Sequence, residues 1–204
     1  MSSQSAPESE AAGANSAMSD LQRDALQEVM NISMGQAANA LAQLIDIQVT
    51  LSIPKIAITT PLGLDSFYQQ ASEHYFARQS FMGDLRGEVI SMISHQGCAQ
   101  LGENMAYEQP MDANSYDELV LELSNILAGA CLKGMVEQLS TRLHLSAPAL
   151  FKPAQRQDHY SWQHALLLEI SFSIEQVAFS SKVVICLDEH SIRDLQKRID
   201  ILLS

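Results

Sequence analysis

The chain has 204 residues, 47% of them apolar, enough to bury one substantial core in a single domain. Its formal net charge of −12 and its pI near 4.7 exclude the basic surfaces that nucleic acid and anionic membranes require. Three cysteines, Cys98, Cys131 and Cys186, form no C-x-x-C and read as buried, reduced thiols, so the expected compartment is the cytoplasm.

Residues 1–18 are small and polar with no periodic apolar face, which predicts a disordered tail. They lack the basic start and apolar run of a secretory signal, and no later stretch approaches the ~18 apolar residues of a membrane span. Residues 19–45 predict a helix. Ser19 or Asp20 caps it, Gln22 completes a capping box with Ser19, and Leu21, Ala25, Val29, Ile32, Ala40 and Leu44 supply apolar positions. An extended stretch around Val49–Ile58 follows, holding Pro54, and then a loop with Pro61 and Gly63 as turn residues. Strands are expected at His74–Met82 and Leu85–Ser94 across a Gly83-Asp84 turn, and a short helix over Gln96–Tyr107.

The second half runs the same way. Ser115 and Glu118 read as an S-x-x-E capping box that starts a helix through Leu143. Strands are expected at His164–Ile174 and Gln176–Leu187. A final amphipathic helix, Glu189–Leu203, places Ile192, Leu195, Ile199 and Leu202 on one face.

A short pattern occurs in both halves, displaced by 94 residues. Asp24, Glu28, Asn31 and Pro54 recur as Glu118, Glu122, Asn125 and Pro148. The same offset, expected to run without gaps, pairs Gly35 with Gly129, Val89 with Val183, Ile90 with Val184, Ile93 with Leu187 and Leu101 with Leu195. The expected fold is α+β: internally duplicated α-β-β-β-α units, residues 19–110 and 111–204, related by a pseudo-two-fold axis. A mostly antiparallel sheet covered by helices follows from the short hairpin connections.

At 100° per residue, offsets of 0, +4 and +7 fall within a narrow arc of an α-helix, so each copy presents two acids and an amide as one polar stripe. A polar face opposite an apolar one is ordinarily just solvated. Two details point further. Asn is a poor helix-interior residue, yet it sits mid-helix twice, and Gly35 and Gly129 add a cost of about 1 kcal/mol each while clearing bulk beside it. The stripe offers no nucleophile–base pair, metal cluster or phosphate loop. An amide can orient water through its donor and acceptor ends, and a carboxylate can anchor a cation. Those are the parts needed when a partner brings the metal and the electrophile, as in phosphoryl transfer assisted in trans.

The pattern Asp/Ser-x3-Glu-x2-Asn-x22-Pro resembles that of the CheC-type chemotaxis phosphatases, whose branches are CheC, CheX and the phosphatase part of FliY. The first copy matches at Asp24, Glu28, Asn31 and Pro54, and the second at Glu122, Asn125 and Pro148. Glu118 stands where the family usually has Asp or Ser, Ser33 where many relatives have Gly, and Asn-Ile recurs as Asn31-Ile32 and Asn125-Ile126. The resemblance spans residues 19–204. Two copies and this length look like the two-site CheC branch more than single-site CheX, and the lack of a further switch-type domain disfavours FliY.

The resemblance implies hydrolysis of the aspartyl-phosphate of a CheY-like response regulator. It assigns water positioning to Asn31 and Asn125, pairing with the regulator's lysine to Glu28 and Glu122, and supporting roles to Asp24 and Glu118. Pro54, Pro148, Gly35 and Gly129 would be structural. Mg²⁺ would come with the regulator, and the chain would need no cofactor of its own. The alternative is a docking module that sequesters a regulator or binds a CheD-like deamidase without turnover; a structural part of a flagellar or secretion switch is a third reading. Elsewhere the sequence offers little chemistry. Its six histidines lack metal-ligand spacing, no phosphate-binding glycine motif occurs, and Ser66 and Ser140 lack a nucleophile elbow. Trp162 reads as core or rim, and Met30, Met34, Met92 and Met135 as core filler.

Overall fold

Two long helices carry the architecture, and each starts where a side chain can accept an orphan backbone N–H. Ser19 caps the first through the expected box: its hydroxyl accepts from Gln22 N at 3.2 Å while Gln22 Oε1 accepts from Ser19 N at 3.0 Å. The second is capped by Asp112, whose carboxylate accepts from Ser115 N at 2.8 Å. Ser115 is therefore already inside the helix, and Glu118 completes no capping box. The acid two residues past Pro110 won the cap because a carboxylate at the N-cap also meets the positive helix end.

The computed structural model describes residues 18–60, 63–64, 68, 73–153, 165–174, 176 and 178–204. Among these residues the helices are α1 (Asp20–Ile45), α2 (His95–Asn104), α3 (Ala113–Leu139) and α4 (Glu189–Leu202). The strands are β1 (Thr50–Leu51), β2 (Lys55–Thr59), β3 (His74–Gly83), β4 (Gly87–Ser94), β5 (Leu143–Leu145), β6 (Ala149–Leu150), β7 (Ala165–Ile174) and β8 (Phe179–Leu187). All pairings are antiparallel, in the order β1-β7-β8-β4-β3-β5, with β2 also on β7 and β6 also on β3.

Each half thus contributes two short strands and one long hairpin between its helices, one strand more than expected. The proline explains the difference. Pro54 and Pro148 cannot donate to a ladder, and each sits in the break between two short edge strands, β1 and β2 or β5 and β6. The sheet register can be compared with the 94-residue offset. Ile90 pairs with Val184 at the centre of the β4–β8 ladder, and these two residues are each other's counterpart at offset 94. Lys55↔Glu169 in β2–β7 answers Ala149↔Arg78 in β6–β3, and Thr50↔Ser173 answers His144↔Met82. These pairs also correct the offset: it is 91 between β3 and β7, because the β7–β8 turn is three residues longer from equivalent register points, and it returns to 94 in β8.

All four helices contribute to the main apolar core on one face of the sheet. A smaller cluster of Leu64, Tyr68, Phe76, Ile90, Met92, Val184 and Cys186 fills the other face. Met30, Met34 and Met135 lie in the main core, and Met92 in the smaller cluster, as expected of gap-fillers. The apolar face of α1 differs from the expected one. Leu21, Ile32 and Leu44 are exposed, whereas Leu26, Val29, Met30, Ser33, Met34, Ala37, Ala38, Leu41 and Ile45 are buried. Packing against α3 selected the wider stripe with small residues. Ser33 shows why: its hydroxyl donates to Val29 O at 2.7 Å, and its Cα lies so close to Gly134 of α3 that a Cβ there would overlap it.

Other boundaries shift modestly. Met18 is buried in the core rather than ending a tail, and Leu202 of α4 is half exposed while Ile192, Leu195 and Ile199 are buried. Contrary to the composition-based reading, α3 is long and apolar enough to cross a bilayer; 56% of its apolar window is buried in the fold, against α1 and the sheet. The predicted tail up to residue 17, Pro61, Ser66, Trp162, His159 and His164 lie outside the described residues.

The three cysteines are buried and form no disulfide, and burial pushes the thiols of Cys98 and Cys131 up to about 12. The Asp112 carboxyl moves the other way, below its ordinary 3.8, because it accepts the Ser115 N–H. A lowered folded-state value means stability present above the ordinary value and lost as pH falls through the folded one. Asp112→Asn keeps a good cap but removes that titration. Its unfolding midpoint is expected to fall less steeply than wild type on acidification below about pH 4, as read by urea melts at stepped pH.

Candidate functional site

Asp24, Glu28, Asn31 and Gly35 all face solvent on α1, while Val29, Met30, Ser33 and Met34 point into the core. On α3, Glu118, Glu122 and Asn125 are likewise exposed, and Leu119, Val120, Leu123, Ser124, Leu127 and Ala128 are buried. The 3.6-residue period thus separates each helix into a core face and a polar arc, and both stripes survive folding as surfaces. A Cβ built at Gly35 or Gly129 meets nothing within 4 Å. The fold itself does not require glycine there; the clearing opens outward.

The two arcs differ in what lies beneath them. Among the described residues, the side chains of Asp24, Glu28 and Asn31 make no hydrogen bond or ion pair. On the second arc, Asn125 Oδ1 accepts from Gln79 Nε2 at 3.0 Å, and Glu122 Oε2 accepts from the Tyr107 hydroxyl at 3.3 Å. Partial burial, with Glu122 beside it, raises the Tyr107 phenol above its ordinary value. Gln79 is 2% exposed on β3, and its Nε2 also donates to Ser146 O at 3.0 Å.

Through Gln79 the structure links Asn125 to the strand break that holds Pro148. Ser146 N donates to Ser80 O at 2.8 Å, and Ser146 Oγ accepts from Ser80 N at 3.0 Å. The first half repeats this clasp: Ser52 N donates to Ser171 O at 3.0 Å, and Ser52 Oγ accepts from Ser171 N at 3.1 Å. Each serine lies two residues before its proline and holds the edge strand across the gap in the ladder. Both serines share the 94-residue offset and were visible in the repeat; Gln79 and Tyr107 were not, because each occurs in one half only. Among the described residues no group of three or more His, Cys, Asp or Glu is placed to hold a metal ion.

A family model described as the CheC-like family matches residues 21–61, which hold the first stripe and Pro54. The fold resembles that of FliY from Thermotoga maritima, with a TM-score of 0.69 at 15% identity, covering 91% of this chain and 99% of that one. It also resembles CheX of Borrelia burgdorferi, solved as a CheX–CheY–BeF3–Mg²⁺ complex, with a TM-score of 0.54 at 13% identity, covering 79% and 99%. The protein described as CheY-P phosphatase CheC of Bacillus subtilis (strain 168) is 27% identical over 136 residues, 62% of this chain. The chain thus resembles the CheC-like family over its first stripe, and the solved relatives in its fold. It spans 64% of the length of that curated relative. Its fold is the mixed helix and antiparallel-sheet arrangement expected from its sequence.

Proposed function

We propose that this protein is an auxiliary phosphatase that accelerates hydrolysis of the aspartyl-phosphate on a CheY-like response regulator, in the cytoplasm. The observation that carries this reading is the pair of solvent-facing Glu-x-x-Asn arcs, Glu28/Asn31 and Glu122/Asn125, on two helices whose other faces are buried. The relative described as a CheY-P phosphatase and the CheX relative solved with CheY support the substrate class.

In this mechanism one helix docks over the regulator's phosphorylated aspartate. Asn31 or Asn125 enters the regulator's site and hydrogen-bonds the water that attacks phosphorus as the bond to the aspartyl oxygen breaks. The amide exchanges no proton, so its contribution is orientation, the term that dominates phosphoryl transfer. Glu28 or Glu122 pairs with a regulator lysine and sets the register. Asp24 and Glu118 lie one turn away and widen the acidic footprint. The Mg²⁺ that neutralises the phosphoryl oxygens belongs to the regulator.

The test is decay of a phosphorylated regulator with this protein at sub-stoichiometric amounts. Faster phosphate release with turnover supports the phosphatase. Binding with unchanged or slower decay overturns it in favour of a docking module. A second expectation concerns the clearings. Gly35→Ala and Gly129→Ala fill open space on helices and are expected to stabilise the fold by roughly 0.5–1 kcal/mol each. The same methyls would stand beside Asn31 and Asn125, so regulator affinity is expected to fall several-fold while the melting temperature rises. Titration calorimetry and thermal melts separate the two effects.

A further inference from the structure

The two arcs are matched in their exposed residues but not in their support. The register maps β3 onto β7 with an offset of 91, so the counterpart of Gln79 is Ile170. Both positions are buried on the face that the long helices cover, but Ile170 has no group to offer Asn31. Offset 94 maps Tyr107 onto Ile201, so the residue that meets Glu122 is also aliphatic in the other half. Gln79 and Tyr107 are the two groups that hold the second arc, and the first half lacks both.

The chemistry of Gln79 fixes the orientation of the asparagine above it. Its Nε2 bonds the Ser146 carbonyl, which only accepts, so that end of the side chain is the nitrogen. The atom of Asn125 facing the same nitrogen must then be its oxygen, as the 3.0 Å contact has it. One lone pair of Oδ1 is used. The second lone pair and both Nδ2 hydrogens remain for water or phosphoryl oxygen. We propose that Gln79 is a positioning residue that locks the rotamer and amide face of Asn125, so that the second site is pre-organised and the first is not. This rests on the phosphatase reading above. Ordering a free Asn31 side chain costs conformational entropy at docking, a cost that the tether has already met for Asn125.

The experiment uses Gln79→Ile, which gives the second half the residue the first half already tolerates. It is made in two backgrounds of the full chain: Asn31→Ala, where only the second site turns over, and Asn125→Ala, where only the first does. The expected result is a roughly three- to ten-fold fall in kcat in the first background, the effect of one hydrogen bond, with KM within about twofold and no change in the second. Equal loss in both backgrounds, or a change confined to KM, overturns the positioning role and leaves Gln79 as a strand-break support. Side-chain ¹⁵N relaxation on the protein alone reads the tether directly. The Asn125 amide is expected to be more ordered than that of Asn31, with the difference lost in Gln79→Ile. Equal order in the wild type overturns the proposal whatever the turnover. Ordered Asn125 in a wild type without turnover would instead overturn the phosphatase reading, and with it any positioning for that reaction. If Gln79→Ile lowers the melting temperature enough to confuse the kinetics, Gln79→Met repeats the test with the side-chain volume kept.

Discussion

The double substitution Asn31→Ala with Asn125→Ala is expected to abolish acceleration of regulator dephosphorylation, by about 100-fold or more, while regulator binding changes by less than about threefold. The reason is the proposed division of roles along each arc. Asn31 and Asn125 are exposed and contribute nothing to the core, so their loss leaves the fold and the docking acids Glu28 and Glu122 in place. What disappears, on the proposed mechanism, is the group that holds water in line with the scissile bond. Each single substitution removes one site's share, and the residual rates give the two shares directly. A double variant with full activity would show that the arcs are not the sites. A double variant that no longer binds would show that the amides dock rather than position. Single-turnover phosphate release and a separate binding isotherm distinguish these outcomes.

The largest structural effect is expected at the crossing of α1 and α3. Gly134→Ala places a Cβ onto Ser33, and the nearest atom is its backbone Cα rather than a side-chain tip that could rotate away. Relief requires the two long helices to move apart, which loosens the packing of Met30, Met34, Leu127 and Cys131 in the same core. Overpacking of this kind costs roughly 1–3 kcal/mol, set against up to about 1 kcal/mol gained in helix propensity. A net loss of about 1–2 kcal/mol lowers the melting temperature of a domain this size by roughly 2–8 °C. The contrast with Gly35→Ala and Gly129→Ala is informative, because the same chemical change there meets open space and is expected to stabilise. Ser33→Gly added to Gly134→Ala should recover only part of the loss, since the Cα stays. A neutral Gly134→Ala would mean that the helices can separate without cost, and the close crossing would then not specify the fold.

Ser33 and Gly134 also account for the serine at position 33, where the resemblance leads one to expect glycine. The serine is buried and satisfies its hydroxyl on the Val29 carbonyl, so it fits the helix contact without entering the site. The residue that decides how closely the helices approach is the glycine on the opposite helix.

Much of this protein could be read from the order of its residues. The capping box at Ser19 and Gln22, the hairpin strands, the core methionines and the two solvent-facing stripes follow from local rules: a hydroxyl accepts the orphan amide, side chains alternate along a strand, and residues four and seven apart share a helix face. The repeat added long-range information, because two copies of one spacing imply one arrangement used twice, and the central Ile90–Val184 pair has the symmetry that offset requires.

Other features depended on contacts between distant segments. Periodicity favoured Leu21, Ile32 and Leu44 as the inner face of α1, but the approach of α3 buried Ser33, Ala37 and Ala38 instead, because small residues let helices come close. Asp112 rather than Ser115 capped α3, since several acceptors near a helix start compete and the backbone path after Pro110 chooses between them. Gln79 and Asn125 are 46 residues apart, and nothing local to either predicts their bond. The sequence by itself determined which residues form the two stripes and that there are two of them. Only the tertiary structure decided that they differ, because Asn125 is held from a strand of the sheet beneath it, and at the equivalent register position the other half places a methyl-bearing side chain instead of an amide.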